Sequence, residues 1–146
     1  MRVQKVIEVN VPANKVWPFF VEPEKIMQWC ITFKKFEYTS DQHSGVGTPL
    51  YIEEQAGGPL MKMRFEITEW KENEIVTLRM VSGPMMKSYE QFWKLEPTPS
   101  GSRINFMEDI EFSLGVIGKL LDSIEARASV GTIDKMLVKL KSLVEA

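Results

Sequence analysis

Apolar and polar residues alternate with a period of two through most of this chain. The last thirty or so residues switch to helical spacing. Over residues 3–11, Val3, Ile7, Val9 and Val11 share one parity, interrupted at Lys5, which predicts a first strand. Pro12 suits the first turn of a short helix over residues 13–21. Pro18 lies inside that stretch and removes a hydrogen bond to the preceding turn, so a kink or early stop is expected there. Glu22-Pro23-Glu24 opens a second short helix, with acidic residues at its positive end, carrying Ile26, Met27 and Trp29. Six further strands are predicted, at residues 31–40, 48–55, 60–70, 75–81, 87–96 and 103–112. The turns between them are hairpin-sized, so neighbouring strands should pair antiparallel.

Parity assigns faces to these strands. Met61, Met63, Phe65 and Ile67 oppose Lys62, Arg64, Glu66 and Thr68. Val76, Leu78 and Met80 oppose Thr77 and Arg79. Tyr89, Gln91, Trp93 and Leu95 oppose Ser88, Glu90 and Lys94, with Phe92 on the outer parity. Ile104, Phe106, Glu108, Ile110 and Phe112 face inward in the last strand. A sheet with one apolar face needs a cover. The proline-free stretch at residues 114–146 is the one element large enough to supply it.

That stretch reads as one long helix with two apolar stripes. Ile133, Met136, Leu137, Leu140 and Val144 form the second. Ile117, Leu120, Leu121, Ile124 and Ala128 form the first, roughly 160° away at about 100° per residue. Two readings stay open. The helix breaks near residues 129–132, where Gly131 weakens it. Otherwise it runs straight, and Gly118, Asp122, Ala126 and Ser129 face the sheet, leaving room for a ligand with Asp122 as a polar contact. The stripe of Ile117, Leu120, Leu121 and Ile124 then faces a partner, a loop or a membrane surface, and a homodimer through it is one form of the first.

Composition narrows the function classes. The chain has 146 residues, 44% hydrophobic and 26% charged, which fits one domain over residues 1–146. A net charge of −2 speaks against a nucleic-acid binder, which needs clustered Lys and Arg. No apolar run reaches the length of a transmembrane segment, and the start of the chain lacks a signal-peptide core. The one cysteine, Cys30, fits a reducing cytoplasm.

Several segments together carry a resemblance. They are Val9-Asn10-Val11-Pro12-Ala13-Asn14-Lys15-Val16-Trp17, Glu22-Pro23-Glu24 with Trp29, and Gly45-Val46-Gly47-Thr48. Leu95-Glu96-Pro97 running through Gly101 to Arg103 is a fourth, and the tail from Leu137 to Glu145 a fifth. In this order and spacing the chain resembles the START-related helix-grip superfamily, in its polyketide cyclase/dehydrase-like ligand-binding branch. The resemblance implies an α+β helix-grip fold: a curved antiparallel sheet of about seven strands around a long C-terminal helix, with two short helices after the first strand. It also implies a hydrophobic small molecule held between sheet and helix. Within the superfamily some members are cyclases, dehydratases or hydrolases, some carry lipids and some bind chaperones, so fold leaves function open.

The residues themselves offer little catalytic apparatus. His43, the single histidine, sits in an Asp-Gln-His-Ser-Gly turn with no apparent partner for acid–base work. Cys30 reads as a small packed hydrophobe. One His and one Cys exclude the usual zinc cluster, and Gly57-Gly58-Pro59 lacks the Lys and helix of a phosphate loop. No metal or cofactor is expected. Glu108, on the inward parity, is either a hydrogen-bonding or acid–base group on a cavity wall, or a rim residue that a bulge or twist returns to water. The twist of such sheets favours the rim. Gln91 is similar but cheaper to bury, and Tyr89 and Trp93 offer donors. Nine methionines suit either gap-filling or a surface accepting varied apolar partners.

The expected function is binding, with transport or sequestration as its use, of a small hydrophobic molecule or lipid. Its expected contacts are Trp29, Phe33, Met63, Phe65, Leu78, Met80, Tyr89, Gln91, Trp93, Glu108, Ile110, Asp122 and Ala126. The alternatives are a cyclase- or dehydratase-like enzyme using Glu108, Tyr89 or His43, and a protein-interaction module using an exposed apolar patch.

Overall fold

The computed structural model describes the backbone of residues 1–113 and 115–146, and the side chains of residues 1–113 and 130–146. Strand β1, Arg2–Val9, leads into three short helices: α1, Ala13–Val16; α2, Pro18–Val21; and α3, Pro23–Trp29. Six strands follow: β2, Phe33–Tyr38; β3, Pro49–Glu54; β4, Met61–Lys71; β5, Ile75–Ser82; β6, Met86–Thr98; and β7, Gly101–Phe112. Helix α4, Gly115–Val144, ends the chain.

Proline placement explains why two expected short helices are three. Pro18 has no N–H to continue α1, so it starts α2 instead at a position where a missing donor costs nothing. Pro23 starts α3 in the same way, with Glu24 in the first turn. Each break turns a different aromatic ring inward, so Trp17, Phe20 and Trp29 are all buried.

The strands form one antiparallel sheet in the order β1-β7-β6-β5-β4-β3-β2. Hairpins join β2 through β7 in sequence, and β1 closes onto β7 in the register Val3↔Glu108 to Val9↔Ser102. The three short helices therefore carry the chain from one edge of the sheet to the other. Gly101 is required where the β6–β7 turn meets the end of β1: a Cβ there would lie 2.1 Å from the Val9 carbonyl oxygen. Parity held in β4, β6 and β7, where Met63, Phe65, Ile67, Tyr89, Gln91, Trp93, Leu95, Ile104, Phe106 and Ile110 are buried. It failed at Thr77, expected on the solvent side but 2% exposed. Pairing jumps from Ile67↔Leu78 to Glu69↔Thr77, so Thr68 forms a bulge, and the Thr77 hydroxyl donates to Glu69.

The curled sheet packs on α4, in keeping with a helix-grip fold. The helix is continuous through residues 129–132, so the reading with a break there is set aside. Its C-terminal half buries Ile133, Met136, Leu137, Leu140 and Val144, as the spacing predicts. Polar contacts tie that half to β1 and the segment after it. Lys5 pairs with Asp134 at 3.3 Å, Lys141 donates to the Glu8 carbonyl at 2.8 Å, and Glu145 accepts from the Asn10 N–H at 2.8 Å. The side chains of Ile117, Leu120, Leu121, Ile124, Asp122 and Ala126 lie outside the described residues, and with them the dimer stripe and the polar contact expected from Asp122. Among the described residues no helix is long and apolar enough to cross a membrane.

Candidate functional site

The interior has two ends. At one end, aromatic rings close the space. Trp29 lies 5.4 Å from Trp93 and 6.3 Å from Phe106, both edge-on, and Phe20 lies 5.7 Å from Trp93. Trp17 meets Trp70 edge-on at 5.2 Å. The Trp29 indole N–H donates to the Phe19 carbonyl at 2.7 Å, so burial leaves it satisfied.

At the other end a cavity of about 250 Å³ stays open. Its described lining is mostly apolar: Met61 from β4, Met85 and Met86 where the chain enters β6, Ile110 and Phe112 from β7, and Ile133 and Met136 from α4. The β3–β4 loop adds Ala56, Gly58 and Pro59 at the mouth. Met85 holds a left-handed backbone, φ 63°, which is uncommon for a residue with a side chain.

Polar groups gather on one wall. Strand parity puts Tyr89, Gln91 and Trp93 on the same face of β6, and antiparallel register sets Gln91 opposite Glu108. The Trp93 indole can only donate, and it donates to the Gln91 carbonyl oxygen at 3.1 Å. That turns the Gln91 amide nitrogen toward Tyr89 Oη at 2.8 Å and Glu108 Oε1 at 3.2 Å. The Tyr89 hydroxyl lies 2.8 Å from Glu108 Oε1 and 2.8 Å from Glu54 Oε1. The Thr32 hydroxyl donates to Glu54 Oε2 at 2.7 Å. Burial pushes the Tyr89 phenol well above its ordinary value, and the charges of Glu108 and Glu54 push it further. It therefore stays a neutral donor in any physiological buffer. The same burial, with Glu54 and Glu108 adding to it, raises the Cys30 thiol, so this cysteine is a packed and unreactive group.

Glu108 corrects the sequence reading. It is 7% exposed, not a rim residue returned to water. No bulge interrupts β7 there, and neighbouring donors on β6 stabilise it in place.

Of the expected contacts, Tyr89, Glu108 and Ile110 line the cavity, and Gln91 stands behind them. Trp29 and Trp93 belong to the aromatic end, while Phe33, Met63, Phe65 and Leu78 are buried in the core and Met80 is half-buried. Glu54 and Thr32 were not foreseen. Glu54 had a usable signal, since it continues the inward parity of Leu50 and Ile52 along β3. Thr32 precedes β2 in a turn and had none. His43 is exposed and stacks on Tyr38 at 4.8 Å, away from this wall. Among the described residues no group of His, Cys, Asp and Glu is placed to hold a metal ion.

A sequence model of the family described as polyketide cyclase / dehydrase and lipid transport matches residues 1–145. No curated protein matches the sequence. Solved structures share the fold. A START superfamily protein from Mycobacterium smegmatis superposes with a TM-score of 0.78 at 19% identity, over 99% of this chain and 97% of that one. A protein from Thermus thermophilus reaches a TM-score of 0.82 at 18% identity, over 99% and 97%. The Zhui aromatase/cyclase from Streptomyces sp. R1128 reaches 0.77 at 13% identity, over 100% and 96%. At these identities the likeness extends to fold alone.

Proposed function

The chain belongs to the polyketide cyclase / dehydrase and lipid transport family, and from that premise we propose that it binds a small hydrophobic molecule in the cavity between the sheet and α4. The observation that carries this reading is the cavity itself: a mostly apolar, methionine-rich space among the described residues, with Tyr89, Glu54, Glu108 and Thr32 gathered on one side and Thr132 on α4. Small-molecule sites have this composition, with volumes upward of about 300 Å³. A space of 250 Å³ suits a compact ligand better than a two-chain lipid. Flexible thioethers let the lining adapt to the ligand's shape. Carriage or sequestration of that molecule is the simplest use of such a site.

Native mass spectrometry on protein taken straight from cells tests the reading, together with uptake of an apolar dye by the emptied protein. A bound small molecule, or dye fluorescence that a Met136→Trp filling variant abolishes, supports it. A protein at its bare mass that takes up no dye overturns it.

One observation favours a second reading. Tyr89, held protonated between two carboxylates on a cavity wall, has the placement of a proton donor in a cyclase- or dehydratase-like reaction. Turnover of any substrate found in the cavity should then fall at least about a hundredfold in Tyr89→Phe. Undiminished turnover removes Tyr89 from the chemistry.

A further inference from the structure

Resting on the container reading, we infer that Met85 is an oxidation site at the edge of the cavity, and that a peroxide, by converting its thioether to a sulfoxide, lowers the affinity of the cavity for an apolar ligand. All nine methionines lie among the described residues, and Met85 alone is exposed, at 45%. Met63 and Met136 are 1% and 4% exposed, and the rest are half-buried. Met85 also lines the cavity, so one residue meets both water and the ligand space. Its backbone is held: the Met85 carbonyl accepts the Ser113 N–H at 3.1 Å, just beyond the end of β7. The turn that exposes Met85 covers its neighbour, since a Cβ on Gly83 would lie 2.7 Å from Met80 Sδ. The other sulfur that draws peroxides, Cys30, is 0% exposed, and burial raises its thiol, so the reactive thiolate is scarce.

The chemistry is closed with hydrogen peroxide as oxidant. The Met85 sulfur lone pair attacks one peroxide oxygen, the O–O bond breaks and an S–O bond forms. The transferred oxygen gives up its proton to the leaving hydroxide, which departs as water. Sulfur is oxidised by two electrons and the peroxide is reduced by two. The product is a polar side chain where an apolar one stood. Turned inward, its oxygen sits in a lining that includes Met86, Ile110 and Phe112, where a polar group is costly to bury. Turned outward to water, it takes the thioether out of that lining. Either orientation removes apolar contact from the ligand.

Fluorescence titration with N-phenyl-1-naphthylamine, before and after a limited dose of hydrogen peroxide, tests this, with tandem mass spectrometry assigning the added oxygen. Met85 is expected to be oxidised at least about tenfold faster than Met63 or Met136, and the dye affinity to fall about threefold or more in step with it. Met85→Leu, whatever its own starting affinity, should keep that affinity through the same dose. Oxidation spread evenly over the methionines overturns the assignment and leaves the container intact. So does dye binding that survives oxidation of Met85, or a Met85→Leu variant that loses affinity as the wild type does. Methionine sulfoxide reductases with a thiol reductant should return the oxidised wild type to its starting affinity, and failure to return overturns the switch. These wild-type measurements stand whether or not the variant folds. A protein that takes up no dye before any peroxide overturns the container reading, and the switch with it.

Discussion

The two ends of the interior use buried aromatic and polar groups in opposite ways. At the aromatic end, Trp29 meets Trp93 and Phe106 edge to face, Phe20 packs tilted against Trp93, and each indole N–H of the pair has one protein acceptor. Ring shape and satisfied donors leave that end nothing to exchange with a ligand. At the cavity end, thioethers replace rings, and the described donors of the polar wall converge on carboxylate oxygens at the cavity's edge. The same strand builds both: Trp93 stands in the plug, and Tyr89, four residues back on the same face, stands in the cavity. Gln91 between them links the two. The rigid end fixes the orientation of an amide that the open end uses.

This contrast is open to attack in order of expected effect. Trp29→Ala should be the most damaging single change, destabilising by about 3–5 kcal/mol in a denaturant titration, because the neighbouring rings cannot collapse into the space. A loss under about 1 kcal/mol would mean that the plug is not the rigid end. Tyr89→Phe keeps the volume and removes a donor from between two carboxylates, so a loss of about 1–3 kcal/mol is expected. A gain in stability would show that the wall is strained rather than satisfied. Met61→Leu, in the cavity lining, should change the unfolding free energy by less than about 1.5 kcal/mol. It should alter which apolar molecules bind. An effect as large as that of Trp29→Ala would erase the distinction between the ends.

Two smaller effects lie outside both ends. Burial raises the Tyr38 phenol from 10.0 to about 12, and its hydroxyl donates to the Val21 carbonyl, tying β2 to α2. The folded value lies above the unfolded one, so this contribution is whole below about pH 10 and is lost as pH rises through about 12. The fall in thermal midpoint between about pH 9 and about pH 11 should be shallower in Tyr38→Phe than in the wild type. Exposed His43 offers one stacking contact with the same ring, and His43→Ala should shift stability by no more than about 0.5 kcal/mol.

Much of the fold was legible because its signals are local. The period of two in β4, β6 and β7 placed Met63, Tyr89, Gln91, Trp93, Phe106 and Ile110 inside. Pro18 marked an interruption, though not that the chain would restart at once as α2. The C-terminal stripe from Ile133 to Val144 marked the face of α4 that meets the sheet. The site was less legible. Parity carried Glu54 inward, but a glutamate at the end of a strand looks like a solvent residue until Tyr89 and Thr32 are seen beside it. Thr77 changed environment because of a bulge at Thr68 that no composition announces.

By itself, then, the order of residues determined most of the elements, most of their faces and the family, because those depend on spacing along the chain. The tertiary structure decided which inward residues became a plug and which bordered a cavity, because that depends on how the edge-to-edge crossing of α1–α3 fills one end of the sheet. It also decided the fate of Glu108. A carboxylate on an inward parity can be a misplaced rim residue or a buried acceptor, and the hydrogens of Tyr89 and Gln91, set beside it by strand pairing, favour the second.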